Sequence, residues 1–158
     1  MAATLIMCIG NIFRGDDAAG PAAARLLREM ELPDVQVLEI DGDLTGLLEG
    51  WQGAPKVIVI DAVTSKAEAG AIFRFAAHEQ PLPQKIFAPC SCHAFGVAQQ
   101  IEIARSLNQL PPCLIVFGIE GKDFTPGSSL SPEIQEALPR LVEQVRQELR
   151  EFDPVKPG

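Results

Sequence analysis

At 158 residues, 47% of them apolar and 22% charged, the chain has the length and composition of one globular domain with a sizeable core. A formal charge of −8 without any basic run argues against nucleic acid and against an anionic membrane surface as partners. No stretch approaches ~20 apolar residues, Met1-Ala2-Ala3-Thr4 lacks the positive region of a secretory leader, and four cysteines are too few for a disulfide scaffold, so a cytoplasmic protein is expected.

The apolar run Leu5 to Ile9 reads as a buried strand, and Ala18 to Met30 as a helix with Ala23, Leu26, Leu27 and Met30 inward. Between them lies Gly10-Asn11-Ile12-Phe13-Arg14-Gly15-Asp16-Asp17, a loop that brings two carboxylates to a helix N-terminus. Such a place normally receives an anion. Carboxylates already there are stabilised by the dipole and repel an anionic ligand, so the loop reads as a cation site. It also lacks the Lys-Ser/Thr of a P-loop and the G-x-G-x-x-G of a dinucleotide fold.

Val35 to Ile40 is a second strand, broken by Asp41-Gly42-Asp43, and Leu44 to Gly50 is a short helix. Lys56 to Ile60 is an unbroken β-branched run, as in a central parallel strand, with Asp61 at its end. The next strand, Ala71 to Ala76, follows only Val63 to Gly70, too short a segment for a parallel crossover. Strand four is therefore expected to run antiparallel to strand three as a short hairpin. Residues 78 to 94 form a long connection punctuated by Pro81, Pro83 and Pro89, of a length that is usually functional. Phe95 to Leu107 reads as a helix with Ile101, Ala104 and Leu107 inward, and Cys113 to Gly118 as the last strand. Ser131-Pro132-Glu133 is a helix start; the final helix runs to about Phe152, kinked or restarted at Pro139, with 153–158 a frayed tail. The pattern predicts one α/β domain over residues 1–152. It is a three-layer α/β/α sandwich whose mostly parallel, about five-stranded sheet contains one antiparallel strand.

Ligands of such folds sit beyond the carboxyl ends of the strands, where the pattern places Asp16, Asp17, Asp41 and Asp61. Of the two histidines, His78 follows the antiparallel strand and belongs at the opposite edge. His93 follows a loop of about 15 residues, which at roughly 3.3 Å each is ample to cross back over the sheet. Asp17, Asp61 and His93 then form an oxygen/nitrogen set suited to a borderline divalent cation such as nickel, zinc or iron. Three protein ligands leave positions open, the mark of a catalytic or transfer site. Alternatives stay open here. Cys90-Ser91-Cys92-His93 has the look of a zinc knuckle without a second half-site. A phospho-acceptor receiver domain would use Asp16, Asp17, Asp61 and Lys122, although a Gly-Asn loop separates its acidic pair from the strand. A metal-binding protein that cleaves nothing is another alternative.

Four segments, in order along nearly the whole chain, resemble the nickel–iron hydrogenase maturation endopeptidases. They are Gly10-Asn11 … Asp16-Asp17 … Gly20, the strand ending in Asp61-Ala62, Ser91-x-His93-x-x-Gly96, and Gly118-Ile119-Glu120 … Leu130-Ser131-Pro132-Glu133. The resemblance implies a hydrolase, a metal-dependent, aspartic-type endopeptidase. Its task would be to remove the C-terminal extension of a hydrogenase large-subunit precursor after nickel insertion. It implies that Asp17, Asp61 and His93 contact the metal and carry catalysis, with nickel supplied by the precursor and no organic cofactor. Asp16, Asp41 and Gly42 are expected on the substrate side. The expected partner is the precursor, with the protein itself a monomer that binds neither nucleic acid nor membrane. Two positions depart from the family pattern: some relatives have Glu where this chain has Asp17, and Gly-Gly-Thr often follows the acidic residue that Gly42-Asp43-Leu44 follows here.

Overall fold

The apolar and β-branched runs form the strands β1 (Thr4–Ile9), β2 (Val35–Ile40), β3 (Lys56–Val63), β4 (Ile72–Ala76) and β5 (Cys113–Glu120). The helices are α1 (Ala19–Glu29), α2 (Leu47–Gly50), α3 (Val97–Ser106) and α4 (Pro132–Glu151), with a 3-10 turn at Gly15–Ala18. The structure is a computed structural model that describes residues 2–41, 46–83, 86 and 96–151. The expected frayed tail, 153–158, lies outside the described residues.

One sheet runs in the order β2-β1-β3-β5-β4, with β4 antiparallel to β5 and every other pairing parallel. Alternation along the strands divides the core in two. Ile6, Cys8, Ile58, Ile60, Ile115 and Phe117 face the buried stripes of α1 and α4. Met7, Ile9, Val57, Val59, Leu114 and Val116 face Leu47, Trp51 and the Val97, Ala98, Ile101 and Ala104 side of α3. The layers are helix, sheet and helix, as the sequence predicts.

Three expectations are corrected. β4 does not sit beside β3 as a hairpin; it lies beyond β5, at the sheet edge. Its direction is as expected, because a short connection fixes reversal but not which neighbour the strand finds. β3 does not end at Asp61 but continues to Val63, paired with β5 through Asp61↔Gly118, Ala62↔Ile119 and Val63↔Glu120. Backbone pairing is indifferent to the carboxylate, so the ladder runs through it. Leu107, expected inward, is 57% exposed at the end of α3, while Ile101 and Ala104 are fully buried. Pro139 lies inside an uninterrupted α4.

The two edges of the sheet are held differently. At the amino edge Lys56 is almost wholly buried; its Nζ donates to the Glu148 carbonyl at 2.6 Å and pairs with the Glu148 carboxylate at 3.7 Å. Arg74 pairs with the same carboxylate, tying α4 to β3 and β4. His78 is also there: its Nδ1 accepts the Leu114 N–H at 3.0 Å, at the start of β5. It lies away from the carboxyl edge, as the topology predicts. His78→Ala should therefore leave catalysis near normal and cost only about 1–2 kcal/mol of stability, because one buried N–H loses its acceptor. Activity and a urea titration on the same preparation test this.

Candidate active site

The carboxyl edge is shaped by close backbone approaches. β1 pairs with β3 only as far as Cys8↔Ile60, so Asp61 lies beyond the end of that ladder, where the first chain turns away at Gly10. Gly10 has φ +154°, and a Cβ there would stand 1.9 Å from the Asp17 carbonyl oxygen. At Gly20 a Cβ would stand 2.2 Å from the Ile9 carbonyl, so α1 packs directly on the end of β1. These two glycines let the 3-10 turn fold back over the strand and deliver Asp17 next to Asp61.

Asp17 is 7% exposed, and its Oδ2 accepts the backbone N–H of Asn11 at 2.9 Å. Asp61, partly buried, follows Val57 and Val59 in the alternation and so faces the α2/α3 side of the sheet. Burial first, and then the charge of Asp17, push the Asp61 carboxyl well above the usual carboxylate range, against a hydrogen bond from Ala62 N–H. Two neighbouring carboxylates resist simultaneous ionisation, which a cation would relieve.

Asp16 plays another part. It has no exposed surface, and its oxygens accept Lys122 N–H at 2.7 Å, Asp123 N–H at 3.0 Å, Ser131 N–H at 2.7 Å and the Ser131 hydroxyl at 2.8 Å. In the fold Asp16 forms a clamp that joins the β1–α1 loop to the start of α4. Burial works against its ionisation, but the bonds from Ser131, Asp123 and Lys122 outweigh it and hold the carboxyl below its ordinary range. A lowered folded value gives stability above the unfolded pKa, about 3.9, that is lost as pH falls through the folded one. Asp16→Ala leaves the buried Ser131 N–H and hydroxyl, and the partly buried N–H groups of Lys122 and Asp123, without an acceptor and should cost about 3 kcal/mol or more. Denaturant titrations at pH 7 and in acid check this: the gap between variant and wild type should narrow in acid.

Asp41 is exposed and directly follows Ile40, whose carbonyl accepts Gly10 N–H at 3.0 Å, so it stands at the same edge. Gly42, His93 and the Cys90-Ser91-Cys92 segment lie outside the described residues. The ends of their connections are described. The chain leaves His78 at the amino edge, yet the Ile86 carbonyl accepts Thr64 N–H at 3.0 Å, just past β3 at the carboxyl edge. The long connection has therefore crossed the sheet by residue 86, and α3 then starts at Val97 on the face that Asp61 shares. Among the described residues there is no group of three or more His, Cys, Asp or Glu placed to hold a metal ion.

Sequence reasoning missed two residues. Asn11 stands in the first motif segment without a role of its own there, yet its N–H holds Asp17 and its side chain accepts Phe13 N–H at 2.8 Å. Glu120, almost fully buried, accepts Ser65 N–H at 2.9 Å and the Ser65 hydroxyl, fixing the loop after β3. Its place in the Gly118-Ile119-Glu120 segment was a signal for it, but one that gave it no role. Lys122, the receiver-domain candidate, pairs through Nζ with Glu133 at 3.1 Å. Burial pushes the Cys8 thiol up to about 12, which leaves it inert as a nucleophile.

Sheet order, helix layers and the paired carboxylates define a three-layer α/β protein with an acidic pair at the carboxyl edge of its sheet. Residues 22–148 match the family model described as HycI, hydrogenase maturation protease. The chain is 26% identical over 149 residues to the hydrogenase 2 maturation protease of Escherichia coli, covering 93% of this chain and 90% of that protein. It is 30% identical over 159 residues to a putative hydrogenase maturation protease of Methanocaldococcus jannaschii, covering 92% and 96%. Among solved structures, an endopeptidase from Escherichia coli superposes with a TM-score of 0.76 at 27% identity, over 94% of this chain and 92% of that one. The hydrogenase maturating endopeptidase HybD from the same organism shares the fold with a TM-score of 0.76 at 22% identity, over the same shares of the two chains. The chain belongs to the hydrogenase maturation protease family.

Proposed function

We propose that the protein cuts the C-terminal extension from a nickel–iron hydrogenase large-subunit precursor once nickel is in place, with that nickel as the recognition signal. The observation that carries this reading is that the close approaches at Gly10 and Gly20 fold Asp17 back beside Asp61, a pair in which burial first, and then the charge of Asp17, raises the Asp61 carboxyl. Such a pair gains most from a cation brought to it. The donor chemistry fits: two carboxylates with the imidazole of His93 offer the oxygen and nitrogen ligands that suit nickel. The described ends of the long connection, Ile86 and Val97, support His93 as the third member. Asp41 and Gly42 stand on the substrate side in this reading. Water is the nucleophile, and one carboxylate of the pair accepts its proton. The protein works as a cytoplasmic monomer.

The test is the electrophoretic shift of a nickel-loaded large-subunit precursor on incubation with the protein. A shortened product supports the protease reading. Nickel binding without shortening would make the protein a chaperone, and labelling of Asp61 by acetyl phosphate would make it a receiver.

A further inference from the structure

We infer that Ile12 and Phe13 form an apolar anchor for the precursor chain beside the scissile bond; this rests on the protease reading above. They are 55% and 72% exposed, and the other large apolar side chains exposed among the described residues are Ile103 and Leu107, on or at the end of α3. Exposed apolar residues scattered singly need no explanation. These two are adjacent in sequence, and their backbone is pinned on both sides. Phe13 N–H donates to Asn11 Oδ1 at 2.8 Å, Gly127 N–H donates to the Phe13 carbonyl at 2.8 Å, and Gly15 N–H donates to the Ser128 carbonyl at 3.1 Å. The turn thus holds its aromatic ring toward water in one backbone conformation.

The turn is also continuous with the acidic pair. Asn11 donates its own N–H to Asp17 Oδ2 and accepts Phe13 N–H on its side chain, so one residue sets both the carboxylate and the apolar pair. Phe13 is two residues from Asn11, whose N–H bonds Asp17, so a polypeptide whose peptide bond reaches Asp17 has this turn within a residue or two of its own length. An aromatic side chain has few rotatable bonds, and on a backbone already held it loses little entropy on burial, the property of residues that dominate binding. The occupant is therefore an extended segment of the precursor carrying an apolar side chain next to the cut.

The experiment compares wild type, Phe13→Ser, Ile12→Ser and Leu107→Ser on nickel-loaded precursor, with KM and kcat measured separately and thermal unfolding as the fold control. Phe13→Ser should raise KM about tenfold, and Ile12→Ser several-fold, with kcat and unfolding unchanged; Leu107→Ser, at the far end of α3, should change neither constant. An unchanged KM in Phe13→Ser, or an equal rise in Leu107→Ser, overturns the inference. So does sedimentation showing a wild-type dimer that Phe13→Ser dissolves, because the occupant is then a second copy. If wild type leaves the precursor whole, the protease reading fails by itself. Precursor binding to the immobilised proteins then decides the anchor: about tenfold weaker binding to Phe13→Ser supports it, and equal binding overturns it.

Discussion

Asp61→Asn should gain stability and lose function in the same molecule. Burial and the neighbouring Asp17 raise the Asp61 carboxyl well above its ordinary range. A raised folded pKa gives stability that is fully present below the unfolded value, about 3.9, and is lost as pH rises through the folded one. At neutral pH and above, keeping this carboxyl in its buried place beside Asp17 costs stability, a cost that an amide of the same shape removes. Urea midpoints of metal-free protein should therefore be close for wild type and Asp61→Asn near pH 4, with the variant ahead at pH 8. Processing of the precursor should fall more than the 10–100-fold typical of residues that only orient a metal ligand. A variant less stable than wild type at pH 8 would show that the carboxylate is held by favourable contacts, and the case for a poised acidic pair would fall.

The second large effect is at Asp17. Its Oδ2 accepts Asn11 N–H at 2.9 Å, and in Asp17→Asn the side-chain amide oxygen can keep that bond while the charge is gone. Asp17→Asn should thus fold normally and process precursor nearly as poorly as Asp17→Ala, again by more than about 100-fold. Asp17→Glu keeps charge and donor type and should retain the most activity of the three. Relief of the repulsion at Asp61 gives an independent readout: the Asp61 carboxyl, followed by NMR, should titrate lower in Asp17→Asn than in wild type. Full processing by Asp17→Asn would show that charge at this position is not used.

What the sequence made legible was what local rules govern. Continuous β-branched runs such as Val57 to Ile60 marked central parallel strands, and the short segment before Ala71 dictated a reversed strand. The same reversal put His78 at the amino edge, where it binds Leu114. Asp17 and Asp61 were legible as neighbours because β1 and β3 run parallel and bring them to one edge. What was hidden depends on partners far along the chain. Asp16 has the look of half an acidic pair, but its four donors come from residues 122, 123 and 131, brought there by the fold. Lys56 reads as the polar start of a strand, whereas Glu148 on the last helix lets it be buried. The edge position of β4 was not legible because a connection's length limits direction and reach, not neighbour. Asp61 reads as the end of its strand because a charge usually marks a strand terminus, but pairing with β5 carries the ladder past it.

The central claim, that the acidic pair meets nickel held by the precursor, is tested most directly by the intact mass of two precursor preparations after incubation with the protein. One carries nickel and the other differs only in lacking it. The account predicts that the nickel-loaded precursor loses the mass of its C-terminal extension while the nickel-free precursor keeps it at any concentration. Efficient shortening of the nickel-free precursor would contradict it.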